Sequence, residues 1–124
     1  MKVASIIFCF ATAVVVLFQL GLAAGMPWGE RAMGGRHPGR FPPTLRIGAV
    51  VQALLLAGLA LVVLVRARVI DSSYFETSRW AIWLVVGISA LSTVLNSITP
   101  SKKERVWAPV GAMLLATSLT IALS

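Results

Sequence analysis

The chain has 124 residues, of which 58% are hydrophobic and 12% charged, with a mean hydropathy of +0.90 and a formal net charge of +7. A soluble domain carries about 25% charged residues and a polar face on each helix, so this composition excludes a soluble bundle, and the length leaves no room for a separate catalytic domain. The positive charge does not point to nucleic acid: it forms no basic stripe with interleaved aromatics and instead flanks apolar runs, where Lys and Arg set topology and meet anionic lipid headgroups.

Charge is confined to Lys2 and three gaps at 30–46, 66–79 and 102–105, leaving 3–29, 47–65, 80–101 and 106–124 uncharged. A transmembrane helix needs about 20 predominantly apolar residues. The expected fold is therefore all-α, a four-helix transmembrane bundle forming one membrane domain over 1–124. Its helices are expected at about 3–25, 44–65, 74–98 and 102–124. The expected location is the cell membrane, as a multi-pass integral protein.

The first run has Lys2 at its head and Gly21, Ala23 and Ala24 near its end, as a signal peptide would. A signal h-region is about 7–15 residues, and this run continues from Val3 to Leu22, so a retained helix is expected. Cys9 lies within it. A single cysteine cannot form an internal disulfide and reads as a small hydrophobe.

The first loop holds Pro27, Pro38, Pro42 and Pro43 with Gly29, Gly34, Gly35 and Gly39. Pro27 suits a first helical turn and Gly34-Gly35 a C-terminal cap, so residues 27–33 are expected to form a short interfacial helix with Trp28 at headgroup depth. Pro42-Pro43 should start helix two. There, Ala49, Ala53 and Ala57 form a small-residue stripe, as do Ala108, Ala112 and Ala116 in helix four, and Gly21 with Gly25 gives a GxxxG pattern. Ser73-Tyr74-Phe75-Glu76 and Ser101-Lys102-Lys103-Glu104 match capping boxes for helices three and four. The brief link after Thr99-Pro100 makes these two helices an antiparallel hairpin. Pro109, lacking an amide to bond residue 105, should kink helix four.

No ionisable residue lies in the middle of a span, which argues against a proton-coupled transporter or pump. The small multidrug antiporters have similar length and helix number but rely on a carboxylate in their first helix, which is absent here. One His with no acid or Cys cluster gives no metal site. No hydrolase triad or nucleotide-binding glycine motif is present, so no cofactor or catalytic constellation is expected.

The strongest uncharged polar residues are Gln19, Gln52 and Asn96. At 1.5 Å per residue each lies roughly 6–10 Å from its helix midpoint, all toward the side of loops one and three. They form a polar layer beneath Trp28, Glu30, His37, Arg46, Glu104 and Arg105. Two readings follow. The amides bond between helices as packing contacts, worth about 0.6 kcal/mol each on average. Alternatively, they line a pocket for a small amphiphile or lipid headgroup, with Glu30 or His37 able to act as acid or base and Arg46 or Arg105 able to hold an anionic group.

Loop one is expected to fold over the bundle end, with Glu30 or Glu104 paired to an arginine of the opposite loop and Trp28 and Trp107 at similar depth. Seven basic residues flank loops one and three against four on the other side, which places those loops in the cytoplasm by the positive-inside rule. Cysteine labelling at Ser72 and Gly39 distinguishes the two orientations.

The chain resembles a family of small, uncharacterised bacterial four-helix integral membrane proteins. The resemblance rests on Gly25-Met26-Pro27-Trp28-Gly29, Gly34-Gly35 and Pro43-Thr44-Leu45-Arg46. It continues through Leu95-Asn96, Ser101, Glu104-Arg105, Trp107 and Pro109. Arginine and serine are common in that family where this chain has Pro100-Ser101-Lys102-Lys103. The resemblance implies fold and location and no mechanism. The leading functional expectation is a non-enzymatic interaction protein or oligomeric membrane subunit, partnered by the bilayer, anionic headgroups, a second copy or another membrane protein. The alternative is a binder, carrier or enzyme for a small amphiphile at the end bearing loops one and three.

Overall fold

The computed structural model describes residues 2–71 and 73–124. Four helices form, α1 at Lys2–Ala24, α2 at Pro43–Arg66, α3 at Phe75–Ile98 and α4 at Trp107–Ala122, and no strand occurs among the described residues. Each is long and apolar enough to cross a membrane, α4 with the 3-10 turn that precedes it. Their outer faces expose Phe10, Leu54, Leu84 and Val94, as a hydrocarbon solvent requires and water does not. The chain is a multi-pass membrane protein. Ser72 lies outside the described residues.

The helices pack as a ring in which α1 touches α2 and α4, and α3 touches α4 and α2. The half nearer loop two is tightly filled. Phe8, Leu59, Val63, Ile82, Val85 and Ile121 form a continuous buried core there. Ser5, Thr12, Ser78, Ser89, Thr117 and Ser118 are also buried. Several of these hydroxyls donate to carbonyls of their own helix: Ser5 Oγ to Lys2 O at 2.8 Å, Thr117 Oγ1 to Met113 O at 2.7 Å and Ser118 Oγ to Leu114 O at 2.6 Å. Small hydroxyl residues thus permit close approach while most of their donors are satisfied within the helix, Thr12 Oγ1 being a buried hydroxyl without a partner among the described residues. Gly111 serves the same end, since a Cβ there would lie 2.8 Å from Thr93 Oγ1 and 3.2 Å from its Cα.

The alanine stripes only partly coincide with the packed faces. Ala49 and Ala53 are buried, but Ala57, Ala112 and Ala116 are exposed. A four-residue spacing advances about 40° per step on a helix of 3.6 residues per turn, so the stripe rotates off the interface by the third alanine in α2 and already by the second in α4. The buried face of α4 is instead Gly111, Leu114, Ser118 and Ile121, which keeps a seven-residue repeat. The GxxxG pattern is not a helix–helix contact at Gly21, which faces the Trp28 ring.

The start of α2 is the expected one, whereas those of α3 and α4 differ from expectation. Pro43 opens α2, with Pro42 as its N-cap. Tyr74 is the N-cap of α3, with no side-chain cap bond. Ser73 therefore lies one residue too early to cap, and Ser78 Oγ donates to Phe75 O instead. At the fourth helix half of the capping box forms, with Glu104 N donating to Ser101 Oγ at 3.3 Å. A 3-10 turn at Glu104–Val106 then leads into α4 at Trp107. Pro109 consequently sits in the first turn of α4, where its amide would have no helical partner, rather than at an interior kink.

Loop two is held by arginines. Arg66 Nη1 donates to Phe75 O at 3.1 Å, and the guanidiniums of Arg66 and Arg68 lie 4.5 and 4.1 Å from the Phe75 ring centre.

Candidate functional site

Loop one does not form one interfacial helix over 27–33. It forms two 3-10 turns, Gly29–Arg31 and Met33–Gly35, because Ala32 between them is extended at φ −143° and ψ 157°, and Gly34 and Gly35 then turn the chain with left-handed φ values of 69° and 75°. The loop lies across the bundle end as a lid. Trp28 stacks on Phe18 with ring centres 6.0 Å apart, and Trp107 meets the same ring at 4.6 Å. One phenylalanine of α1 thus brings both tryptophans to one level.

Loop three and α4 fasten the lid. Trp107 Nε1 donates to Arg31 O at 3.0 Å. Ser101 Oγ donates to Glu30 O at 2.5 Å. Gly34 N donates to Glu104 Oε2 at 3.1 Å. Glu30 forms an ion pair with Lys103, so the cross-loop partner is a lysine and not the expected arginine. That hydrogen bond and the lysine's charge hold the Glu30 carboxyl below its ordinary pKa. A depressed carboxyl stabilises the folded form above its ordinary range, and the contribution disappears as pH falls through the lowered value. Both side chains are about half-exposed, so the effect is small and screened by salt. Acidification from pH 6 to pH 3 should therefore loosen the lid in low salt, read as a shift in tryptophan emission. Lys103→Met should remove most of that shift.

Beneath the lid is a cavity of about 450 Å³. It lies beyond the buried core that α2 and α3 share. That core holds Leu59, Val63, Ile82 and Val85, whereas the aromatic cluster under the lid (Phe18, Leu22, Phe41 and Ala49) contains no residue of α3. Gly48 and Gln52 of α2 line the cavity yet remain exposed, which marks its opening on the α2–α3 side.

All three amides reach this cavity: Gln19, Gln52 and Asn96 line it, as does Glu104. The other expected site residues lie elsewhere. Arg46 Nε donates to Ala23 O at 2.8 Å, capping α1, and Arg105 Nε donates to Thr99 O at 3.0 Å, closing loop three. Exposed His37 meets Phe41 edge-on at 6.3 Å. Glu30 is occupied by Lys103, and Trp28 fills the space over Gly21. The rest of the lining was not singled out as site candidates, including Arg31, one basic residue among many in the loop, and Phe41, which no periodicity marks. Among the described residues no cluster of His, Cys, Asp or Glu could hold a metal ion.

Comparison with protein families, curated proteins and solved structures gives no match to this chain.

Proposed function

We propose that the protein is a non-enzymatic membrane protein that holds one small amphiphile, a lipid or a lipid-like molecule, in the cavity beneath loop one. The observation that carries this reading is the cavity itself. Its volume of about 450 Å³ falls within the range of small-molecule sites. Its lining combines apolar helix surface with three amides on three different helices. An amphiphile fits that division: its polar end meets the amides under the lid, and its tail leaves through the gap between α2 and α3. Glu30 and His37 lie off the lining, which favours binding over acid–base catalysis.

Native mass spectrometry of gently extracted protein tests the reading. The expected result is one bound amphiphile per chain, removed by harsher detergent. Bare protein after mild extraction, with no uptake of added lipid, would overturn it.

A second reading places another membrane helix, from a second copy or a different protein, on the outer face of α2. It is supported by Ala57 and Gly58, which are small, adjacent and exposed there. A strictly monomeric species in crosslinked native membranes would remove it. The proposed orientation in the cell membrane puts loops one and three in the cytoplasm, near anionic headgroups. Gly39 is a poor labelling position, since its φ of 82° strains any side chain. Exposed Arg36 and Ser73 serve better as cysteine positions.

A further inference from the structure

Two residues of opposite charge line the cavity without forming an ion pair with each other. Arg31 and Glu104 both line it, yet the ion pair found among the described residues is Glu30 with Lys103. Arg31 makes no side-chain hydrogen bond among the described residues and acts on Glu30 only through space. Its place in the lid is fixed independently, because Trp107 grips its backbone carbonyl. Glu104 is only 9% exposed and its carboxylate accepts one hydrogen bond, from Gly34. A carboxylate offers about four acceptor positions, and a buried one is costly without a cation beside it.

From this unpaired juxtaposition we infer that the cavity takes a zwitterionic phospholipid headgroup, its phosphate toward Arg31 and its ammonium toward Glu104. The inference rests on the cavity being an amphiphile site. An anionic headgroup satisfies Arg31 but brings like charge to Glu104. A cationic amphiphile does the reverse. A neutral glyceride leaves both groups uncompensated. Only a headgroup carrying both signs neutralises both, and Gln19, Gln52 and Asn96 then face its ester and glycerol oxygens. Phe18, Phe41 and Trp107 also line the cavity, so a methylated ammonium can rest on aromatic faces where a primary one donates hydrogen bonds.

The test is competitive loading of the full chain in mild detergent with phosphatidylethanolamine, phosphatidylcholine and phosphatidylglycerol of identical acyl chains. Bound lipid is read by native mass spectrometry. The expected result is about tenfold preference for the zwitterionic lipids over phosphatidylglycerol, corresponding to about 1.4 kcal/mol. The ratio of the first two tells a primary from a methylated ammonium. Glu104→Gln, which keeps an acceptor for Gly34, should reduce the preference to within about twofold, and Arg31→Gln should lower occupancy by all three. If either variant fails to fold, the wild-type chain challenged with diacylglycerol and with an alkylammonium amphiphile decides the matter, each expected to bind about tenfold more weakly. Equal or greater occupancy by phosphatidylglycerol overturns the inference and leaves the amphiphile reading intact. No uptake of any lipid overturns both.

Discussion

Replacing Gly48 by phenylalanine should empty the cavity of ligand without weakening the bundle. Gly48 lies within α2, and a Cβ built there meets no atom within 4 Å. Long side chains on a helix lean toward its N-terminus, so the new ring is directed at the space below Phe41 and Leu45. Filling apolar space adds contacts, and exchanging glycine for a residue of better helix propensity contributes a few tenths of a kcal/mol. The expected outcome is at least a tenfold loss of bound amphiphile with an unchanged or higher midpoint of thermal unfolding in detergent. Wild-type occupancy in this variant, with the fold intact, would show that the ligand lies elsewhere.

Gly29→Ala should have the opposite character, damaging the lid and sparing the spans. Gly29 N donates to Gly39 O at 2.9 Å, and a Cβ at Gly29 would collide with the carbonyl of His37 and lie 2.8 Å from that of Gly39. These are backbone atoms inside a compact loop and cannot swing away. Overpacking of this kind typically costs about 1–3 kcal/mol. It falls on the lid, so Trp28 should lose its contact with Phe18 and Trp107 its bond to the Arg31 carbonyl, while the Trp107–Phe18 contact between α4 and α1 stays. The readouts are a red shift of tryptophan emission and faster proteolysis within 29–40, with helical content retained. Gly58→Ala, where nothing lies within 4 Å, is the control. Wild-type protection of the loop in Gly29→Ala would contradict this account of how the lid closes.

The spans were legible in the sequence because a hydrocarbon core imposes a length, and charge gaps show that length directly. The shared level of Gln19, Gln52 and Asn96 was legible for a similar reason: a fixed rise per residue converts position into depth. Which face of a helix meets its neighbour was harder to read. Ala108, Ala112 and Ala116 advertise an interface that rotation carries away, while Ser118 and Thr117 occupy it and look unremarkable as letters. Loop three gave the right pattern for part of the wrong reason. Ser101 and Glu104 do fit a capping box, yet Glu104 turns to Gly34, seventy residues earlier in the chain, which no local pattern encodes. Arg31 was hidden among seven basic residues on that side, since only the path of the lid distinguishes it.

The fastening of the lid divides the labour between two segments unequally. Trp107, Ser101 and Glu104 reach across with their side chains, and what they grip in loop one is backbone: the carbonyls of Arg31 and Glu30 and the amide of Gly34. A grip on backbone does not read the side chain attached to it. Exposed Arg36 and the Arg31 side chain are therefore free to drift in identity while the loop keeps its path, provided the glycines remain, whereas Met33 at a φ of 52° and Ala32 against the Phe18 cluster are held to fewer choices. The cavity lining contributed by the Arg31 side chain can thus be exchanged without rebuilding the closure above it, so this end of the molecule can change what it selects while conserving how it shuts.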